Sequence, residues 1–319
     1  MHLFLSHLQR LDVVDISVIS FDYPYQKATY EWDGIKVYAL GGNNPSGLLK
    51  LWNWQNAIQL SLKLNSRLPI DQIHSFWLND CALVGNRIAK KIRIPHSCTL
   101  MGQDVLKSNR FIKRISPPPK LITLSNFQNT KLFENFSLHP SLTIPWGVEE
   151  LSAGNENKTI DIIGVGNLNE VKNYSKFIYI IQLVKEEFPQ LKVELIGEGE
   201  EEYKLKKLVT DLKLTDTISF LGVKNREETL SQMKKAKILL HTANFESFGM
   251  VLVEAQSLGL RVVSSPVGIS HELKGCDTFD SITESALLIC KFLKENSSVD
   301  AIRSYKIEDT VQSYLKDVF

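Results

Sequence analysis

The chain has 319 residues, with 43% hydrophobic and 23% charged side chains and a net charge of +1. These values exclude a disordered or collagen-like chain, and the length fits two domains of about 150 residues each. No apolar run approaches the roughly 18 residues of a membrane span, and the first residues lack the pattern of a secretory signal. We therefore expect a cytoplasmic protein. The cysteines have no metal-ligand spacing, which favours reduced, buried thiols at Cys81, Cys98, Cys276 and Cys290.

Charge is distributed unevenly along the chain. Residues 1–147 hold 16 Lys and Arg against 9 Asp and Glu, a balance of +7, so the remainder carries −6. Within the basic part, a local concentration surrounds the prolines at 117–119 and comprises Lys107, Arg110, Lys113, Arg114 and Lys120. One interpretation is an anionic partner, either a lipid-phosphate acceptor or an anionic membrane surface. The other is a solvated face without a partner.

The first half of the chain alternates predicted strands and helices. Helices are predicted over 1–10, 48–65, 80–91 and 126–135, and strands over 15–21, 35–40, 72–76, 97–101 and 121–124. Such alternation is typical of a parallel sheet with crossover helices. His74, near the end of one strand, is interpreted as a structural histidine.

The second half follows a polar linker at 150–158 and repeats the alternation more clearly. Strands are predicted over 159–165, 192–196 and 217–221, and each is followed at once by a glycine: Gly166, Gly197 and Gly222. Helices are predicted after these strands, ending near residue 188, ending near residue 213 and over 226–235. Strand 238–240, helix 250–258, strand 261–264 and helices 283–295 and 307–318 complete this half. In a doubly wound sheet the carboxyl ends of the strands line the ligand crevice, and glycine there lets a ligand approach the backbone closely.

Two glutamates, Glu246 and Glu254, flank the start of helix 250–258 with seven residues between them. The backbone N–H groups of Gly249, Met250 and Val251 would sit at the positive end of this helix, which suits a phosphate group. Two glutamates at this spacing are common by chance, and taken alone they are more often solvated surface charges.

The context of the two glutamates is more specific than their spacing. A buried strand, the segment E-S-F-G-M-V-L-V-E and a further strand at 261–264 together resemble the Glu-x7-Glu signature of retaining, nucleotide-sugar-dependent glycosyltransferases of group 1. The resemblance implies an α/β protein of the GT-B fold, with two Rossmann-like doubly wound domains facing a central cleft. Residues 1–149 would form the acceptor-side domain, with helix 303–319 returning to it, and residues 150–302 would bind the nucleotide sugar.

The resemblance also implies roles for individual residues. Glu246 would contact the transferred sugar, and Glu254 would hold the ribose hydroxyls. The family places Gly-Arg-Leu after the first strand of the second domain, with a lysine five residues after the arginine; here Lys172 keeps the lysine position and Asn167 replaces the arginine. Lys172 and Glu246 are therefore the predicted catalytic residues. The predicted donor-binding residues are Glu254, Phe248, Gly249, Met250, Val251, Gly166, Asn167, Gly197 and Glu198.

In the first domain, the segment 101–104 resembles a His-Gly-x-Asp turn that faces the sugar. Gly102 and Asp104 fit this turn, whereas Met101 occupies the histidine position and cannot donate an imidazole hydrogen bond. The family also has a strand and a Gly-rich loop before the helix that is predicted here over residues 1–10. The expectation is that the chain begins within that helix, either because its start lies upstream or because this strand is missing.

The predicted function is a metal-independent, retaining transferase that moves a hexose from a UDP or GDP sugar to a saccharide or lipid-linked acceptor. Envelope or extracellular polysaccharide synthesis is the expected setting, with the protein cytoplasmic or peripheral on the inner face of the membrane and without nucleic acid. Two alternatives stay open. The departures at Met101, Asn167 and the chain start fit a catalytically impaired partner subunit of the same fold, and a sugar-nucleotide epimerase has a similar architecture.

Overall fold

The computed structural model describes residues 1–43, 46–151, 157–295 and 299–319. The chain divides into two compact units, which are described separately. Unit 1 comprises Met1–Pro145 together with Ile307–Phe319, and unit 2 comprises Trp146–Lys306. The predicted linker at 150–158 lies partly outside the described residues, since 152–156 are among those left out.

The described residues of unit 1 form seven strands in two sheets. The chain order is α1 (His2–Arg10), β1 (Ser17–Ser20), β2 (Ala28–Trp32), β3 (Ile35–Ala39), α2 (Gly47–Asn65), β4 (Ile73–Phe76), α3 (Asp80–Ile92), β5 (His96–Thr99), a 3-10 turn (Gln103–Val105), β6 (Lys120–Thr123), α4 (Asn126–Phe136), β7 (Leu142–Thr143) and, at the end of the chain, α10 (Ile307–Asp317). One sheet has the order β1-β3-β2 and the other β4-β5-β6-β7. All pairs are parallel except β2 with β3.

The antiparallel hairpin of β2 and β3 was not predicted from the sequence. Asp33 and Gly34 form its two-residue turn, both with positive φ (52° and 79°), and Trp32 pairs with Ile35 across it. An Asp-Gly turn of this kind matches the right-handed twist of paired strands. The signal for the hairpin was therefore present in the sequence, although the strand before the turn, ATYEW, is largely exposed.

A buried series of hydrogen bonds joins α10 to the second sheet of unit 1. The Tyr314 hydroxyl lies 2.6 Å from the Thr99 hydroxyl, which lies 3.1 Å from the Nε2 atom of His74. The ring of Tyr314 packs against Phe4 of α1 with centroids 4.6 Å apart. His74 is thus a structural residue that helps to hold the last helix in place.

Unit 2 is a doubly wound α/β domain, and its described residues form one parallel sheet of six strands. Its chain order is β8 (Ile160–Val165), α5 (Tyr174–Glu187), β9 (Val193–Ile196), α6 (Glu202–Asp211), β10 (Ile218–Phe220), α7 (Arg226–Lys234), β11 (Ala236–His241), α8 (Met250–Ser257), β12 (Arg261–Ser264), β13 (Cys276–Thr278) and α9 (Ile282–Glu295). The sheet order is β10-β9-β8-β11-β12-β13. Strand order reverses between β8 and β11, and ligands bind outside the carboxyl ends of the strands at such a point.

The core of unit 2 explains why its strands were recognisable in the sequence. Ile162 and Ile163 on adjacent positions of β8 are both fully buried, as expected for a strand covered on both faces. Helix α5 contributes Phe177, Ile178 and Ile181 to the same core, at helical spacing. Only β13, a short and partly exposed strand, was missed in this unit.

The four cysteines are free thiols, Cys98 and Cys290 buried and Cys81 and Cys276 half-buried. None of the helices in the described ranges combines the length and hydrophobicity that a membrane span requires.

We expect Tyr314→Phe to lower the free energy of unfolding by about 1 kcal/mol, because it removes a buried hydrogen bond without removing the ring. Urea denaturation measures the change. Tyr203→Phe is the matched control, since Tyr203 is 84% exposed and its substitution is expected to have no effect. Equal stability of both variants and the wild type would show that these hydrogen bonds do not stabilise the packing of α10.

Candidate active site

Two loops meet at the carboxyl ends of β8 and β11, which are neighbouring parallel strands. The Thr242 hydroxyl donates to the backbone oxygens of Lys172 and Asn173, at 3.1 Å each. The backbone N–H of Asn244 donates to the oxygen of Val171 at 2.8 Å. These bonds fix the loop after β8 against the loop after β11 and place their side chains side by side.

An ion pair joins the two loops. The Nζ atom of Lys172 contacts the Oε1 atom of Glu246, and both side chains are mostly buried. The Nε2 atom of His241, the last residue of β11, lies 3.5 Å from the same Oε1 atom, and His241 is 5% exposed. Burial alone would raise the pKa of Glu246, but His241 and Lys172 outweigh it and lower the pKa to about 2. Glu246 is therefore an ionised carboxylate at neutral pH.

Glycines at the strand ends leave room beside this ion pair. Gly166 and Gly197 follow β8 and β9 with φ of 149° and 137°. A Cβ atom at Gly197 would lie 2.0 Å from the backbone oxygen of Gly166, so no other residue fits there without moving the backbone. Gly197 also donates its N–H to the oxygen of Gly222 at 2.9 Å. The three predicted strand-end glycines thus bring the ends of β8, β9 and β10 together.

Helix α8 begins at Met250, four residues after Glu246. Gly249 precedes it in the left-handed conformation, with φ of 91°, and the first helical residues are Met250 and Val251. The N–H groups of a first helical turn have no partner within the helix, and they carry partial positive charge. The Phe248 side chain is buried against Tyr305, with ring centroids 5.6 Å apart, so a ligand could meet only its backbone.

Glu254, one turn into α8, is held by an arginine that the sequence analysis did not select. Its Oε1 atom accepts from Nε and Nη2 of Arg226 at 3.3 and 3.1 Å, and Nη1 of Arg226 lies 3.3 Å from Glu149. Burial raises the pKa of Glu254, and Arg226 opposes that rise. Arg226 opens α7 directly after β10, so its place at the carboxyl end of a predicted strand was the signal available in the sequence.

Asn167 and Glu198 are both exposed at the ends of β8 and β9. The backbone oxygen of Glu198 accepts from the N–H of Leu168 at 2.8 Å, and the oxygen of Asn167 accepts from Asn169 at 2.9 Å. Their side chains are thus available at the same edge of the sheet as Lys172.

The predicted sugar-facing residues Met101, Gly102 and Asp104 belong to unit 1, whereas the other predicted site residues belong to unit 2. The Asp104 carboxylate accepts backbone N–H groups from Leu78, Met101 and Gly102, at 2.9, 3.1 and 2.7 Å. Burial raises the pKa of Asp104, and these hydrogen bonds oppose the rise. Asp104 therefore holds the turn after β5 in shape.

No group of three or more His, Cys, Asp or Glu side chains within the described ranges is arranged to hold a metal ion.

The fold is that of the GT-B glycosyltransferases. Solved structures that it resembles include Anabaena HepE with UDP and glucose, at TM-score 0.73 and 18% identity over 99% of this chain and 94% of that one. Sucrose-phosphate synthase from Thermosynechococcus elongatus also has a TM-score of 0.73, at 16% identity over 97% and 87% of the two chains. Residues 149–275 match the family described as Glycosyl transferases group 1.

Relatives of the chain include proteins named as glycosyltransferases. An uncharacterized glycosyltransferase of Methanocaldococcus jannaschii is 29% identical over 67% of this chain and 61% of its own length. The match to a Haemophilus influenzae relative covers 52% of that protein, so the chain spans little more than half the length of these two. A Campylobacter jejuni relative, N-acetylgalactosamine-N,N'-diacetylbacillosaminyl-diphospho-undecaprenol 4-alpha-N-acetylgalactosaminyltransferase, is 24% identical over 91% and 82% of the two chains.

The low pKa of Glu246 predicts a specific acid sensitivity. A carboxylate with a lowered pKa in the folded state stabilises the fold above its unfolded pKa and loses that contribution as pH falls. Here the window runs from pH 4.5 to about 2, and the loss is about 3 kcal/mol. We expect Glu246→Gln to lose stability less steeply than the wild type in this range, as measured by denaturant unfolding at successive pH values.

Glu254→Gln is the control, because the pH dependence that Glu254 adds to stability has the opposite sign to that of Glu246. The pKa of Glu254 is raised, so its protonation stabilises the folded wild type as pH falls. This effect falls above pH 4.5, so Glu254→Gln should change the stability profile there and should leave the loss between pH 4.5 and about 2 close to that of the wild type. Identical pH profiles for the wild type and Glu246→Gln would contradict the assignment of a strongly paired carboxylate at this position.

Proposed function

We propose that the protein is a retaining, metal-independent glycosyltransferase that transfers a hexose from a nucleotide-diphosphate sugar. The observation that carries the proposal is the Lys172–Glu246 ion pair, which lies beside the start of α8 at the switch point of the sheet. A cation, an ionised carboxylate and a helix N-terminus are the groups that a diphosphate and a sugar would need there.

The donor diphosphate is proposed to bind between Lys172 and the N-terminus of α8. The Lys172 ammonium has Glu246 as its partner. A diphosphate carries more negative charge than one carboxylate and can share this ammonium while accepting the N–H groups of Met250 and Val251. As the bond between the anomeric carbon and the diphosphate breaks, these same groups would stabilise the charge that develops on the leaving oxygen.

Glu246 and Glu254 are proposed to hold hydroxyl groups of the donor. Both carboxylates are mostly buried, at 16% and 15% side-chain exposure, so a hydrogen bond from a hydroxyl would be formed largely out of water. Glu246 would orient the transferred sugar, and Glu254 the ribose. Arg226 contributes by holding Glu254 ionised and in one orientation.

Asn167 makes the phosphate side of this site less cationic than in family members that have arginine there. Its exposed amide can donate only neutral hydrogen bonds, which are about half as strong as charge-assisted ones. Lys172 and the helix N-terminus would therefore provide most of the diphosphate binding. The exposed position of Asn167 leaves space for a ligand phosphate.

Several relatives support the choice of substrates. HepE was solved with UDP and glucose, and a pneumococcal O-GlcNAc transferase, matched with a TM-score of 0.62, was solved with UDP and GlcNAc, which favours UDP over GDP for the donor. The name of the Campylobacter relative gives a diphospho-undecaprenol saccharide as its substrate. We propose a saccharide or lipid-linked acceptor of envelope polysaccharide synthesis, used on the cytoplasmic side.

We expect Lys172→Ala and Glu246→Gln each to reduce sugar transfer by about a hundredfold or more, because each removes a charge that acts on the reacting centre. Lys237→Ala is the matched control: Lys237 pairs with Asp161 at 2.9 Å, on the same two strands but at their amino ends. Transfer is measured by release of nucleoside diphosphate and by the anomeric configuration of the product.

The same assay separates the alternatives. Full transfer by Lys172→Ala and Glu246→Gln would overturn the proposed roles. An epimerised donor without acceptor would support the epimerase, and nucleotide binding without turnover on any acceptor would support the partner subunit.

Nucleotide binding tests the roles of Glu254 and Arg226 independently of turnover. We expect UDP to raise the melting temperature of the wild type, and Glu254→Ala to abolish most of this shift. As the pH is lowered, UDP binding by Arg226→Gln should weaken at a higher pH than UDP binding by the wild type. The reason is that Glu254 without its countercharge takes up a proton more readily. Lys207→Gln, an exposed change on α6, serves as control. Unchanged UDP affinity in both variants would exclude a nucleotide site at Glu254.

A further inference from the structure

Helix α2 exposes a cluster of large apolar side chains at its start. Leu48, Leu49, Leu51 and Trp52 are 84%, 67%, 49% and 64% exposed. The buried face of the same helix is formed by Asn53, Trp54, Ala57, Ile58 and Ser61. At 100° per residue, Leu48 and Trp52 fall on the side opposite this buried face, and Leu49 and Leu51 fall at its two edges. Contiguous exposed apolar residues of this size mark an interaction surface more often than a solvated one.

The apolar character is confined to the first two turns of the exposed face. Further along, this face carries Gln55, Gln59 and Lys63, all exposed. A partner would therefore contact the beginning of α2 rather than its whole length.

Basic residues border the apolar cluster. Lys50 and Arg114 both lie by the Phe111 ring, with the charged groups 5.9 and 6.0 Å from its centroid, so the segment 106–114 runs beside the first turn of α2. This segment exposes four cations and contains no Asp or Glu: Lys107, Arg110, Lys113 and Arg114. None of these four takes part in the salt bridges found among the described residues.

We propose that one surface of unit 1, the α2 surface, docks onto an anionic lipid bilayer. The α2 surface is defined as Leu48, Leu49, Leu51 and Trp52 with the flanking Arg110, Lys113 and Arg114. The apolar side chains would enter the boundary between headgroups and acyl chains, and the cations would bind lipid phosphates. Charge favours a bilayer over a second copy of the chain, because a symmetric contact through this surface would bring two basic segments into one interface. The proposal is independent of the activity of unit 2.

Vesicle co-sedimentation tests the proposal with the full chain. We expect binding to vesicles of phosphatidylcholine mixed with phosphatidylglycerol and little binding to phosphatidylcholine alone. Leu49→Glu should reduce the partition coefficient by about tenfold, since it removes an inserted side chain and adds a repelled charge. Arg110→Gln and Arg114→Gln should each reduce it by about fivefold, with a smaller effect at high salt.

Leu287→Glu is the matched control, because Leu287 lies on α9 of unit 2 and is 67% exposed, as Leu49 is. Its vesicle binding should equal that of the wild type. Thermal unfolding verifies that every variant is folded. Absence of binding to anionic vesicles, or equal losses in Leu49→Glu and Leu287→Glu, would overturn the proposal. A wild-type dimer in light scattering that Leu49→Glu dissociates, without vesicle binding, would assign the surface to a second copy instead.

Discussion

The parallel pairing of β8 with β11 is the constraint on which the candidate site depends. The two strands are distant in sequence, and their pairing sets side by side the loops that carry Lys172 and Glu246. Hydrogen bonds from Thr242 and Asn244 then fix one loop against the other. Because strand order reverses at this pair, the helices that follow diverge and leave the carboxyl ends open to a ligand.

The charges at this edge of the sheet are arranged in pairs that a ligand can join. Lys172 has Glu246 as its partner and Arg226 has Glu254, and each pair is partly withdrawn from water. An unpaired charge in such a place would be costly, so pairing keeps the ligand-free protein stable. An anionic, hydroxyl-bearing ligand would find the cations and carboxylates already oriented by these pairs. Asp104 differs, because its carboxylate is committed to three backbone N–H groups of its own turn.

Local sequence patterns predicted most of the fold of unit 2 because its central strands are buried on both faces and three of its predicted strands are followed by glycine. The GT-B fold expected from the glutamate motif is confirmed. In unit 1, β2 was missed because an exposed edge strand has little hydrophobic pattern, although Asp33-Gly34 predicts a hairpin. The roles of Glu246, Glu254 and Lys172 remain proposals. The contacts of His241 and Arg226 could not be predicted, because no spacing rule links residues of different strands and helices.

The sequence by itself determined the alternation of strands and helices, the strand-end glycines and the excess of basic residues in the first half, since these depend on local composition and spacing. Tertiary structure decided which of these groups meet. Helix α2 illustrates the difference: the apolar residues of its first two turns cover more than half of the helix circumference, so periodicity cannot select the buried face. Packing in unit 1 buries Trp54 and Ile58 and leaves Leu48, Leu49 and Trp52 exposed. A helix has only one side toward the core, and the chain around it determines which side that is.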